Sequence, residues 1–134
     1  MVELVARVLI SARQPSPGHL KQSFNRQRRL VGEAEDYCEH QADRPLRIGE
    51  LCREIGVSER TLRDAFYKVT NASPLAYLKT EKLNRVYCAL RDAHPIEMLI
   101  KQAAYANGFI HLGQFSRDYK QLFGELPSQT LQRY

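Results

Sequence analysis

The sequence lacks any apolar–polar alternation of the strand period, any paired cysteine motif and any hydrophobic run long enough to cross a bilayer. Each absence removes a class of protein. Without the period-2 pattern the expected fold is all-α. Cys38, Cys52 and Cys88 are odd in number, far apart and in helix-like contexts, so they read as buried thiols of a reducing compartment and not as a disulfide frame. Cys38 and His40 form a lone Cys-x-His with no second pair at zinc spacing, and no metal site is expected. Residues 1–10 are apolar, but Glu3 and Arg7 interrupt them and the stretch is too short to span a membrane. The expected location is therefore cytoplasmic. His19, His40, His94 and His111 are scattered and pair with no Ser, Cys or carboxylate in a recognisable array, so neither an enzyme nor a cofactor is expected.

What the chain does have is an unevenly placed positive charge. The net +5 over 134 residues leaves residues 1–43 balanced, with six Lys/Arg against six Asp/Glu, while residues 44–134 hold fourteen against nine. A surplus confined to one region favours a polyanionic partner. The length fits one domain or two small ones, with a modest core.

That basic region is duplicated. The first copy runs Ile48-Gly49-Glu50-Leu51-Cys52-Arg53-Glu54-Ile55-Gly56-Val57-Ser58, and the second Ile100-Lys101-Gln102-Ala103-Ala104-Tyr105-Ala106-Asn107-Gly108-Phe109. From Leu62 onward an offset of 53 aligns Leu62 with Phe115, Phe66 with Tyr119, Asn71 with Gly124, Pro74 with Pro127 and Leu78 with Leu131. Each copy is a short amphipathic helix, a glycine turn and a second helix bearing polar and basic residues. That is the layout of a helix-turn-helix, which places its second helix in the DNA major groove.

Local signals set the helix boundaries. Residues 2–12 carry a helical apolar stripe with nothing obvious to pack on, and residues 13–24, with Pro15, Pro17 and Gly18, read as linker. Together, residues 1–24 are expected to be the tail of an upstream domain, followed by the double helix-turn-helix over 25–134. A helix is predicted over 25–41, with Leu30, Ala34, Tyr37, Cys38 and Gln41 inward and Arg26, Arg28 and Arg29 near its start. Gly56 supplies the turn after a helix over 48–55, and Ser58 caps the next, over 59–69, which buries Leu62, Ala65, Phe66 and Val69. Asn71 ends it, and Ser73-Pro74 opens a helix over 74–93, a rod of roughly 30 Å. One turn of B-DNA spans about 34 Å, so the rod is expected to hold two reading heads in successive major grooves. Further helices are predicted over 96–107, from His111 or Leu112 to Phe123 and from Pro127 through Leu131. About seven helices result, besides the one over 2–12. Phe66, Phe115, Tyr119 and Phe123, like Tyr77, Tyr87 and Tyr105, have the spacing of core packing and not of stacking platforms.

Residues 44–134 closely resemble the DNA-binding domain of the AraC/XylS family of bacterial transcription regulators. The shared features are the doubled helix-turn-helix, the long linking helix and the run Tyr119-Lys120-Gln121-Leu122-Phe123-Gly124-Glu125-Leu126-Pro127. The resemblance implies a sequence-specific regulator of double-stranded DNA, an activator that also touches RNA polymerase, with any effector bound by an upstream domain. By position it implies that Arg60, Arg63 and Asp64 face base edges, with Ser58 and Thr61 near phosphates. In the second copy it implies Gly113, Ser116 and Arg117 at bases, with His111, Gln114 and Lys120 towards backbone or groove edge. Arg63 and Arg117 are the expected direct readers, because a guanidinium can fork onto O6 and N7 of guanine. Two departures stand out. Asp64 can only accept, from cytosine N4 or from a neighbouring Arg, and Gly113 offers no side chain. They support the rival reading, a helix-turn-helix module that binds protein instead of DNA. An enzyme with a helical regulatory tail is the second rival.

Overall fold

A computed structural model describes residues 17–94 and 99–133, which form seven helices and no strand. They are α1 (Pro17–His40), α2 (Ile48–Ile55), α3 (Glu59–Thr70), α4 (Pro74–Asp92), α5 (Ile100–Ala106), α6 (Leu112–Phe123) and α7 (Pro127–Arg133). The expected helix over 2–12 and the first residues of the expected linker lie outside the described residues. The chain divides into two compact units. One holds α1, α2, α3 and α4 as far as Leu78; the other holds Gln41–Leu46 and the chain from Lys79 onward.

In the first unit α2 and α3 pack on α1. The inward residues are Val31, Ala34 and Cys38 of α1, Leu51 and Cys52 of α2, and Leu62, Ala65 and Phe66 of α3. Leu51, Leu62 and Phe66 are fully buried, and each such side chain contributes on the order of 1.5–3 kcal/mol. Gly56 stops α2 in the left-handed region at φ 72°, its N–H donating to the Cys52 carbonyl. Ser58, extended at φ −73° and ψ 157°, then opens α3 with Oγ accepting from the Thr61 N–H at 3.1 Å. Asn71 closes α3 at φ 58°. Just before it, the buried Thr70 hydroxyl donates to the Phe66 carbonyl at 2.7 Å and accepts from the Ala72 N–H at 3.2 Å. Ser73 Oγ accepts from the Ala76 N–H at 3.1 Å and opens α4.

The start of α1 departs from expectation. Residues 17–24 are helical, not linker. Pro17 occupies the first helical position, where its missing N–H costs nothing. Residues 18–23 are exposed, and Leu20 with the half-buried Phe24 makes an apolar stripe of two residues, too short to outweigh Pro15, Pro17 and Gly18 in the sequence. At the other break α5 begins at Ile100 and not at residue 96, because Leu99 is extended at φ −80° and ψ 139°. Residues 95–98 lie outside the described residues.

The second unit packs Leu83, Val86 and Leu90 of α4 against Ala103 and Ala104 of α5 and Phe115 and Tyr119 of α6. Aromatic rings continue that core. Phe109 meets Phe115 at 5.1 Å between centroids, Tyr119 meets Phe123 at 4.6 Å, and Phe123 stacks on Tyr87 at 4.7 Å. Tyr105, by contrast, is 45% exposed, and Cys88 is exposed as well, correcting the expectation of burial for both. Cys88 is two residues from both Val86 and Leu90, which turns it to the opposite side of α4.

Two polar devices fix this unit. Lys82, 3% exposed, donates from Nζ to the carbonyls of Ala42 (3.0 Å), Arg44 (3.3 Å) and Asn107 (3.3 Å). It thereby ties the 41–46 segment to the turn between α5 and α6. Gly108 sits in that turn at φ 82°, and a Cβ there would overlap the Arg44 carbonyl oxygen and lie 2.7 Å from its carbon. The second device closes α7 onto α6. Tyr119 Oη donates to Thr130 Oγ1 at 2.6 Å, and Thr130 donates to Glu125 Oε1 at 2.8 Å. Glu125 in turn pairs with Arg133 at 3.5 Å. Tyr119 and Thr130 are fully buried, so a gap in this relay leaves a dry polar group without a partner, at a cost of about 1–3 kcal/mol.

Two outcomes follow from these devices. Gly56 and Gly124 share the positive φ of Gly108 but have open space where a Cβ would go. Gly56→Ala and Gly124→Ala should each cost about 1–2 kcal/mol of backbone strain, while Gly108→Ala adds the overlap and should cost about 3 kcal/mol or more; urea unfolding of the three variants ranks them. Tyr119 provides the second test. Burial pushes its phenol up from 10.0 to about 12, aided by the nearby Glu125 carboxylate and opposed by the bond to Thr130. Its contribution to stability is whole below pH 10 and is lost as pH climbs through 12. Alkaline absorbance titration should show a late phenol that Tyr119→Phe removes.

Candidate nucleic-acid interface

The burial pattern of α3 sets one of its faces outward. Leu62, Ala65 and Phe66 point into the core, which leaves Arg60, Thr61, Arg63 and Asp64 exposed over the first two turns. Ser58 and Thr61 are exposed too, and the Ser58 hydroxyl donates to Thr61 Oγ1 at 3.0 Å while accepting from its N–H. The two hydroxyls thus form the helix cap, leaving Oγ lone pairs and the ordered N-terminal turn towards solvent. Among the described residues Arg60, Arg63 and Asp64 join no ion pair. No carboxylate therefore has to be displaced before either guanidinium meets a polyanion or a base.

The α6 face is built by the same rule on different residues. Phe115 and Tyr119 are buried, and His111, Gly113, Gln114, Arg117 and Lys120 are exposed, with Ser116 half-buried. His111 precedes the helix in extended conformation, φ −106° and ψ 92°, and its ring makes no cap hydrogen bond. The bare Cα of Gly113 leaves room beside it. Arg117 Nη2 lies 4.0 Å from where a Cβ would stand, so the guanidinium folds back along the helix over the glycine. The missing side chain is thus partly covered by the arginine one turn later.

One residue here escapes a reading from sequence. Asp118 has a side chain only 13% exposed and accepts from Lys79 Nζ at 3.2 Å and from Gln114 Nε2 at 2.9 Å. Its i, i+4 spacing to Gln114 was visible, but the partner on α4 lies 39 residues away. The thiols take no part in either face. Burial, with help from Glu59, raises the Cys52 thiol above its ordinary range, which keeps it protonated and unreactive. Among the described residues no helix is long and apolar enough to cross a membrane.

Comparison with known proteins places the chain among relatives of the same fold. Residues 51–133 match the family described as a helix-turn-helix domain. A crystal structure of a probable AraC family transcriptional regulator from Rhodopseudomonas palustris is similar, with 37% identity and a TM-score of 0.66, over 78% of this chain and 96% of that one. So is a regulator with an AraC-type DNA-binding domain from Chromobacterium violaceum, at 25% identity and a TM-score of 0.69, over 79% and 92%. The chain is 34% identical over 102 residues to the probable thc operon regulatory protein of Rhodococcus erythropolis. It is 32% identical over 97 residues to the XylDLEGF operon transcriptional activator of Pseudomonas putida. These matches take in 76% and 72% of this chain but only 31% and 30% of those relatives, so the chain spans about a third of their length. An all-α chain with two helix-turn-helix units, each turning a polar second helix outward, it belongs to the AraC/XylS family of transcription regulators and carries that family's DNA-binding domain.

Proposed function

We propose that this domain binds double-stranded DNA sequence-specifically, with α3 and α6 entering successive major grooves. The observation that carries the reading is the pair of outward faces, Arg60/Arg63 on α3 and Gln114/Arg117 on α6, each over a buried core at positions 53 apart. Arg63 and Arg117 fork onto guanine O6 and N7, and Arg60, Asp64, Gly113 and Ser116 border the bases. Ser58, Thr61, His111 and Lys120 hold the backbone on either side, because phosphate contacts fix register and base contacts choose sequence. Transcription activation through contact with RNA polymerase belongs to the same proposal and is supported by the activator name of the Pseudomonas relatives. So does an effector-binding domain upstream, on the ground that the curated relatives are much longer.

The mechanism is electrostatic capture followed by geometric selection. Capture releases counterions, so log K should fall with log salt by about 0.9 per phosphate, over roughly five to eight contacts. On the preferred duplex Arg63→Ala and Arg117→Ala should each lose on the order of 1–3 kcal/mol and relax preference at one or two base pairs. Lys120→Ala should weaken all sequences alike and flatten the salt slope by about one. Binding each variant to specific and scrambled duplexes at two salt concentrations separates the roles. Equal losses on both duplexes would make the arginines phosphate anchors, and a salt-independent constant would remove the reading altogether.

A further inference from the structure

We propose that Asp118 is a positioning residue for base readout, which holds Gln114 in the orientation that selects adenine. The inference rests on the DNA-binding reading above and gives one position of the second unit a specific base. Gln114 is the third residue of α6, within the N-terminal turn from which a groove-bound helix reaches base edges. Its amide is held by one hydrogen bond to the next turn of the helix. Asp118 Oδ1 accepts from Gln114 Nε2 at 2.9 Å, and Asp118 Oδ2 is held by Lys79 Nζ at 3.2 Å. A carboxylate paired with an ammonium has no hydrogen to give, so the amide nitrogen and not the amide oxygen must face it.

That constraint settles which atoms Gln114 presents outward. One N–H is spent on Asp118, which leaves the second N–H and the whole of Oε1. A donor beside an acceptor matches the N7 acceptor and N6 donor of adenine, the pairing Gln makes in the major groove. A freely rotating amide meets adenine in only part of its conformations, and in others its NH2 can donate to O6 or N7 of guanine, which blurs the choice. The anchor on Lys79 matters because it ties the carboxylate to α4, so the orientation does not depend on α6 alone. A merely structural salt bridge between Lys79 and Asp118 would stabilise the unit but would leave base preference untouched.

The test uses the full chain and a preferred duplex selected from random sequence, with each base pair then replaced in turn. Wild type should prefer A·T at one pair that Gln114→Ala makes indifferent, a loss on the order of tenfold. Asp118→Ala should lose the same preference at the same pair while its affinity for unrelated duplexes does not fall, since the change removes a negative charge and frees Lys79. The double variant should lose no more than either single one. Asp118→Asn keeps the shape but offers a donor as readily as an acceptor, and it should also lower the preference, which carries the test if alanine loosens the fold. Asp118 variants that keep the adenine preference, or that weaken every duplex equally, overturn the inference and leave DNA binding standing. A wild type with no preference at any base pair overturns both.

Discussion

A buried ammonium sets the start of α6. Lys82 lies inside the second unit with at least three backbone carbonyls around Nζ, two from the 41–46 segment and one from Asn107. A charge in that place is tolerated only when it is closely solvated by fixed dipoles, so the carbonyls must hold their positions for the unit to close. Asn107 and Gly108 are the residues that turn the chain out of α5, and four residues later α6 begins. The segment 41–46 also forces glycine at 108, because its Arg44 carbonyl occupies the space of a Cβ. That cage fixes the turn from which α6 departs, and the buried Phe115 and Tyr119 then decide which face α6 shows to solvent.

The two units reach a similar end by different chemistry. Both stop their second helix with a left-handed residue, Asn71 at φ 58° in one and Gly124 at φ 74° in the other. Asn tolerates that region at a cost that Gly avoids, and Thr70 supplies extra local bonds beside Asn71. The second unit instead uses the Tyr119–Thr130–Glu125 relay, which fastens the short α7 over the end of its core. The shared requirement is a buried stripe at positions 62 and 66 in one copy and 115 and 119 in the other. Once that stripe is inward, helical geometry turns the intervening polar residues outward, whatever they are. Sequence can then vary on the exposed face without disturbing the fold.

Legibility followed the range of the signal. Helices α2, α3 and α6 were readable almost to the residue, because Gly56, Ser58, Asn71 and Gly124 act on their own turn and their neighbours' periodicity is strong. The first residues of α1 were not, since Pro17 and Gly18 look like linker and Leu20 and Phe24 alone mark a helical spacing there. Lys82 reads from sequence as one more solvated charge on a long helix, and its carbonyl partners lie 25 to 40 residues away. The same distance hides the pairing of Lys79 with Asp118. The candidate interface was therefore legible as two faces, while the side chains that brace those faces were not.

The central claim is that each unit reads its own stretch of DNA through its second helix. Hydroxyl-radical footprinting of wild type, Arg63→Ala and Arg117→Ala on one preferred, non-palindromic duplex tests it most directly. The account predicts two protected segments within about 15–20 base pairs, with Arg63→Ala weakening protection in one segment and Arg117→Ala in the other. A single segment weakened alike by both variants, or protection that appears only on a palindrome bound by two copies, would contradict it.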